Sequence, residues 1–388
     1  MRGLRRWAEG LALLLCLSAG VVLTAPSVSV GSAQPRASGK TAVCQTTAFV
    51  PAGAEDRVST IDARTLARND ILFPSMGSFA SDVAITPDGK TAFVTLASVS
   101  LNAVATIDVA TETLNPSNIA VGTNPNGIAI TPDGKTAFVA NADDNTVSTI
   151  DVATRTKVGT DIAVGTEPLE VAVTPDGKEA WVTNFQGNSV STIDVATRTK
   201  NPVDITVGNN PDGIAFTPDG KTAYVANRDG TDPNPDPTKS GKVSTIDVAT
   251  RTKDPTDITG FQRPTAVAVT PDGKTVFVAD FFNDGSGVAY VSTIDVATRT
   301  KDPNEITTGA SPDAVAITPD GVQAFTANLD GGSVTIIDVT TRTTPDQDVT
   351  VGSAPGDVAF TPCAVPTPPP APTPPPAPTV QTTPTFTG

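Results

Sequence analysis

Short apolar runs recur along the chain in a fixed order, and their period is two. In the first run, large residues alternate with alanine: Val83-Ala84-Ile85, Ile128-Ala129-Ile130 and Val171-Ala172-Val173. Alternation of this kind predicts strands, and a strand apolar on both faces predicts cover on both sides. Each such run ends in "TPDG", beginning at Thr86, Thr131, Thr174, Thr217, Thr270 and Thr318, with a clipped "TP" at Thr361. Pro presets φ near −65° and Gly lets the chain turn, so a second strand should fold back on the first. That second strand is "TAFV"-like, with Phe49, Phe93, Phe138, Trp181, Tyr224, Phe277 or Phe325 as its large residue. A third strand reads "STIDVATRT", with its acid at Asp62, Asp108, Asp151, Asp194, Asp247, Asp295 and Asp338. A short fourth follows, as in "DIAVG" (161–165) and "DITVG" (204–208).

Four strands repeating every 43 to 53 residues predict an all-β fold, a seven-bladed β-propeller of four-stranded antiparallel blades. The seven large residues are expected to pack between blades rather than to hold a cofactor. Counting from Thr86 numbers the blades 1 to 6. The seventh must be composite. Residues 357–361 form a first strand with no companions after it, while "TTAFV" (46–50) and "VSTIDART" (58–65) lack a first strand. Pairing the two termini in one blade closes the ring. On the repeat, Cys44 and Cys363 both fall where other blades carry the turn aspartate, such as Asp88. A disulfide between them would replace the missing turn. In the chain-entropy model so long a loop implies on the order of 5 kcal/mol.

The ends have their own composition. Arg2, Arg5 and Arg6 precede the apolar stretch 11–25, and "GSA" (31–33) offers small residues before Gln34, which together predict an export signal over 1–33. Cys16 goes with it, leaving Cys44 and Cys363 for an oxidising compartment. A linker (34–45) leads into the propeller (46–362), and a Pro/Thr/Ala-rich tail (363–388) reads as a polyproline-II spacer. The expected location is secreted or cell-envelope associated, without membrane insertion once the signal is removed.

Charge narrows the function. With 41 acidic against 26 basic residues the net charge is −15, which disfavours nucleic acid and anionic lipid as partners. There is no histidine, so the usual general base and the commonest zinc ligand are missing.

The phrases "PDGKTAFVAN", "NTVSTIDVATRTK" and "VGTEPLEVAVTPDGK" closely resemble the YVTN-type β-propeller repeats of bacterial exported and surface-layer-like proteins, over residues 46–362. The resemblance implies a seven-bladed ring outside the cytoplasm with a binding or scaffolding role. It carries no catalytic motif and no cofactor.

Function is then sought in what is not repeated. The step from the third-strand Asp to the next Thr is 23 residues in six blades and 24 in the other, whereas second-to-third-strand loops vary. Val139 to Val147 is eight residues, but Val278 to Val291 is thirteen and Val225 to Val243 eighteen. Insertions confined to one face mark the expected binding face. Candidate contact residues there are Arg228, Phe281, Phe282, Phe185 and Arg263. In the longest loop Asp232, Asn234 and Asp236 alternate like the opening of a calcium site. The central Gly and closing Glu are missing, so a solvated, Pro-stiffened loop is the plainer reading. Four residues before each turn Thr, Asp82, Glu170 and Asp357 face the axial channel, as candidate cation ligands or as channel-hydrating groups. The expected function is binding or scaffolding toward an envelope protein, a glycan or a small ligand, by a monomer. The alternatives are a lactonase-like or quinoprotein-dehydrogenase-like enzyme at the channel mouth and a purely structural cell-surface protein.

Overall fold

The computed structural model describes residues 45–363, apart from 75–76, 78, 99–100, 229–240, 282–288 and 346. The signal, the linker, Cys44, most of the tail, Asp232, Asn234, Asp236 and Phe282 lie outside the described residues.

Seven antiparallel sheets follow one another around a ring. Blade 2 shows the unit: an inner strand Pro125–Ile130, a second strand Thr136–Asn141 and a third strand Thr146–Asp151. The fourth strand is in two pieces, Thr156–Lys157 and Ile162–Ala163, both on the third strand. In blades 1 to 6 the outer edge is short, which limits edge-to-edge pairing between molecules. Blade 7 differs, with an unbroken outer strand Arg68–Leu72.

The alternation read from sequence is used as expected. Phe49, Phe93, Phe138, Trp181, Tyr224, Phe277 and Phe325 are all buried, and each packs into the core shared with the next blade. Seven seams thus hold seven small cores. Burying one such side chain contributes about 1.5–3 kcal/mol, so the ring's cohesion is spread evenly rather than centred.

"TPDG" has two duties. Gly134, Gly177, Gly220 and Gly273 sit at φ of 69° to 72°, where a side chain would be strained. Each also rests on the proline of the preceding blade's turn: Pro87 under Gly134, Pro132 under Gly177, Pro175 under Gly220 and Pro218 under Gly273. The turns therefore form a collar around one end of the axis. Within each turn the aspartate accepts from the threonine hydroxyl and from the N–H two residues on, as at Thr131 (2.7 Å) and Lys135 (3.1 Å) for Asp133. These bonds and the neighbouring lysine hold the Asp133 carboxyl at about 2.

The ring closes through both ends of the chain. The short strand Ala359–Phe360 pairs with Thr47–Ala52, with Ala48 opposite Phe360 and Phe49 opposite Ala359. The Thr46 hydroxyl donates to the Thr361 carbonyl at 2.6 Å, and Thr47 N–H donates to the Thr361 hydroxyl at 2.9 Å. Phe360 meets Phe325 of blade 6 edge to face, 5.0 Å between centroids. Pro362 then covers Gly89 of blade 1, continuing the collar. Cys363 follows it directly and is disulfide-bonded.

Candidate ligand-binding site

Two kinds of loop share the face opposite the collar, and backbone hydrogen bonds tie them together. The residue after each second strand donates to the residue just before the inner strand of the same blade. The pairs include Ala142 to Asn124 (3.0 Å), Phe185 to Glu167 (2.8 Å), Arg228 to Asn210 (3.1 Å), Phe281 to Arg263 (3.0 Å) and Leu329 to Ser311 (2.8 Å). Phe185, Arg228 and Phe281 are therefore one repeat position seen in blades 3, 4 and 5. Blades 1, 2, 6 and 7 carry Ala97, Ala142, Leu329 and Gly53 at this position. Sequence spacing had placed the three side chains on one face without showing that they are equivalents.

They also touch. The Arg228 guanidinium lies 5.2 Å from the Phe281 ring centroid and 6.0 Å from that of Phe185, and the Arg263 guanidinium is 5.3 Å from Phe281. Four of the five candidate contact residues thus form one stack across three blades. Arg228 is only 8% exposed and pairs with the equally buried Asp212 at 3.5 Å. It is the anchor of the stack. Phe185, Phe281 and Arg263 are half-buried, leaving them as the accessible part.

A second feature lies on the inner strands. Asp82 is buried, and its carboxylate accepts from Val83 N–H and Ile128 N–H, each at 2.6 Å. Burial first, then the Asp357 charge and then Glu170, push its pKa well above the usual carboxylate range, and a side-chain hydrogen bond links it to Asp357. The two carboxyls meet at the seam where the ring closes. Among the described residues no group of three acids is placed to share a metal ion.

The repeat also carries a clamp that spacing alone did not reveal. The second strand ends in a fully buried asparagine, Asn141, Asn184, Asn227 or Asn328. Each lies against a glycine in the segment leading into its blade; a Cβ on Gly165 would stand 2.4 Å from Asn184 Cγ. The pairing of "N" with the "G" of "VGxxP" is the signal that could have exposed it. Blade 5 breaks both halves at once, with "VAD" for "VAN" and "GFQRP" for "VGNNP". Asp280 replaces the asparagine, and Phe261, fully buried, stands where Gly208 stands one blade earlier. Asp280 accepts from Gln262 N–H (2.9 Å) and Arg263 N–H (2.6 Å) instead. Burial raises its pKa, while those two backbone bonds oppose the rise.

One pocket of about 540 Å³ lies on the collar face, between the turns of blades 1 and 2, and is lined by Pro87, Asp88, Lys90, Asp133 and Arg155 among others. It includes none of the candidate residues.

Comparison with known proteins agrees with the architecture. Residues 234–359 match the family model "Lactonase, 7-bladed beta-propeller". Among solved structures, one titled as Kuenenia stuttgartiensis hydrazine synthase is similar at 21% identity and TM-score 0.63, over 79% of this chain and 99% of that one. A functionally unknown protein from Desulfotomaculum acetoxidans gives 17% and 0.68, over 82% and 99%. A putative 6-phosphogluconolactonase from Bacteroides fragilis gives 18% and 0.65, over 83% and 99%. At these identities the likeness speaks for the fold. No curated protein matches. The chain is a seven-bladed β-propeller, similar to the lactonase-type propeller family over residues 234–359.

Proposed function

We propose that this protein is an exported binding propeller that takes an envelope protein, a glycan or a small ligand on the loop-bearing face of blades 3 to 5. One observation carries the reading. A position filled by Ala, Leu or Gly in four blades is filled by Phe185, Arg228 and Phe281 in three successive ones, and these side chains converge. A repeat scaffold recognises a specific partner only through positions that differ between repeats, and aromatic and Arg side chains are the types that dominate contact energies. The collar aspartates are accounted for by turn chemistry.

The test uses the exported form of the protein as bait against an envelope fraction from its own cells, with bound material identified by mass spectrometry. Phe281→Ala, or shortening 229–240 to a tight turn, should leave a folded ring that no longer retains what the parent retains. Retention unchanged in both variants and lost in Lys135→Ala would reverse the assignment of faces.

A second reading, a lactone-opening hydrolase, is favoured by the family match and by the Asp82–Asp357 pair. Two adjacent carboxyls, one with its pKa raised by burial, supply both an acid and a base without histidine. Water would add to the lactone carbonyl, the ring C–O bond would break, and the alcohol oxygen would take a proton to give the hydroxy acid. Acid release from a panel of aldonolactones, abolished by Asp82→Asn, would favour this reading. No release above the spontaneous rate would remove it.

A further inference from the structure

We infer that the segment leading into blade 5 is a built oxyanion site, in which Arg263 binds the carboxylate or phosphate group of the ligand. The inference rests on the loop-face reading above and names the chemistry it would recognise.

Backbone geometry sets this segment apart from its six counterparts. In the six other blades, the residue before the inner strand is left-handed: Phe79, Asn124, Glu167, Asn210, Ser311 and Ala354 have φ between 33° and 57°. Arg263 alone at this position leaves that conformation. The cause is the paired replacement already described. Phe261 fills the glycine's place, and Asp280 takes the Gln262 and Arg263 N–H groups. Phe281 N–H holds the Arg263 carbonyl at 3.0 Å. Gly241, at the start of blade 4's third strand, lies so close that a Cβ would stand 2.3 Å from Pro264. Arg263 is thus fixed from both sides of its peptide unit and from the neighbouring blade.

Its side chain, in contrast, has been left without an anion. Arg228 has Asp212, and the lysines of the outer strands have acids four residues on. Arg263 is half-buried, rests on Phe281, and among the described residues forms no ion pair or side-chain hydrogen bond. In the preceding residue the Gln262 side-chain oxygen is buried without a partner among the described residues. A guanidinium held on a clamped backbone and stacked on an aromatic ring presents its donor fork in one orientation, which suits carboxylate or phosphate.

The experiment measures binding of D-gluconate and of inorganic phosphate, separately, by calorimetry. It compares the parent protein, Arg263→Ala, Arg263→Lys and Arg155→Ala, the last being an arginine that lines the collar-face pocket. Parent binding of at least one anion is expected, about tenfold to a hundredfold weaker in Arg263→Ala, as loss of a charge-assisted contact implies. Arg263→Lys should recover only part, and Arg155→Ala should match the parent. The anion that binds tells carboxylate from phosphate. Unaltered melting of the variants excludes misfolding. Absence of binding by the parent, or equal binding by Arg263→Ala, would overturn the inference; partner capture lost in Phe281→Ala would then still stand by itself. Binding lost in Arg155→Ala instead would place the anion on the collar face and likewise overturn the inference.

Discussion

Replacing Phe360 by alanine tests how the ring is closed, because an internal control shares its geometry. Phe360 lies edge to face on Phe325 at 5.0 Å and 79°; Phe216 lies on Trp181 at 5.3 Å and 80°. Both precede a turn threonine and both are half-buried. A fully buried Phe→Ala change costs about 3–5 kcal/mol, so half-burial sets each loss at about 2 kcal/mol, or roughly 3 °C in melting temperature for a ring of this length. The two should be alike while the disulfide is intact. Under reduction they should part. Phe216 sits on a strand joined to its blade by a covalent turn, whereas Phe360 sits on a two-residue strand held by Ala48, Phe49 and the Thr46–Thr361 contacts. Those few hydrogen bonds contribute about 1 kcal/mol each. Reduced Phe360→Ala should therefore lose hydrogen-exchange protection at the Thr361 amide well before global unfolding, and reduced Phe216→Ala should not. Calorimetry gives the first comparison and exchange mass spectrometry the second. A reduced Phe360→Ala protein as protected at Thr361 as the parent would show that the terminal strand is not held as argued.

Other outcomes follow from the same geometry. Gly165→Ala should destabilise by about 2–4 kcal/mol, since its Cβ would overlap the Asn184 side chain, and denaturant midpoints check this. Burial and the Asp357 charge raise the Asp82 pKa in the fold, so its contribution is fully present below its unfolded pKa and is lost as pH rises through the raised folded value. Unfolding free energies of parent and Asp82→Asn measured between mildly acidic and neutral pH should converge or cross in that direction; parallel curves would contradict it. Titration of the mature, unreduced protein should find no free thiol, with Cys44 as the partner of Cys363, and two titratable thiols would dispose of the staple.

Periodicity carried most of the fold. The alternation of large residues with alanine, the "TPDG" turns and the orphan strand at 357–361 each predict an observed feature: blades covered on both faces, hairpins, and a composite blade 7. These are local rules, and local rules are written in residue types. The site was legible only in part. Loop-length variation singles out the face, and Arg228, Phe281, Phe185 and Arg263 do meet there. What spacing does not convey is depth: Arg228 is withdrawn onto Asp212, while Arg263 has no anion among the described residues. Nor did the alternation reveal the Asn–Gly clamp, because it joins residues in different strands. Its failure in blade 5, where Asp280 and Phe261 change together, marks the part of the ring least like the rest.

The most direct test of the loop-face account is a hydrogen-exchange and covalent-labelling footprint of the intact ring with its captured envelope material bound. The account predicts protection at residues 185, 228, 263 and 281, with the collar turns at 87–90 and 132–135 unchanged. Protection of the collar turns, with the Phe185–Arg228–Phe281 stack labelled as in the free protein, would contradict it.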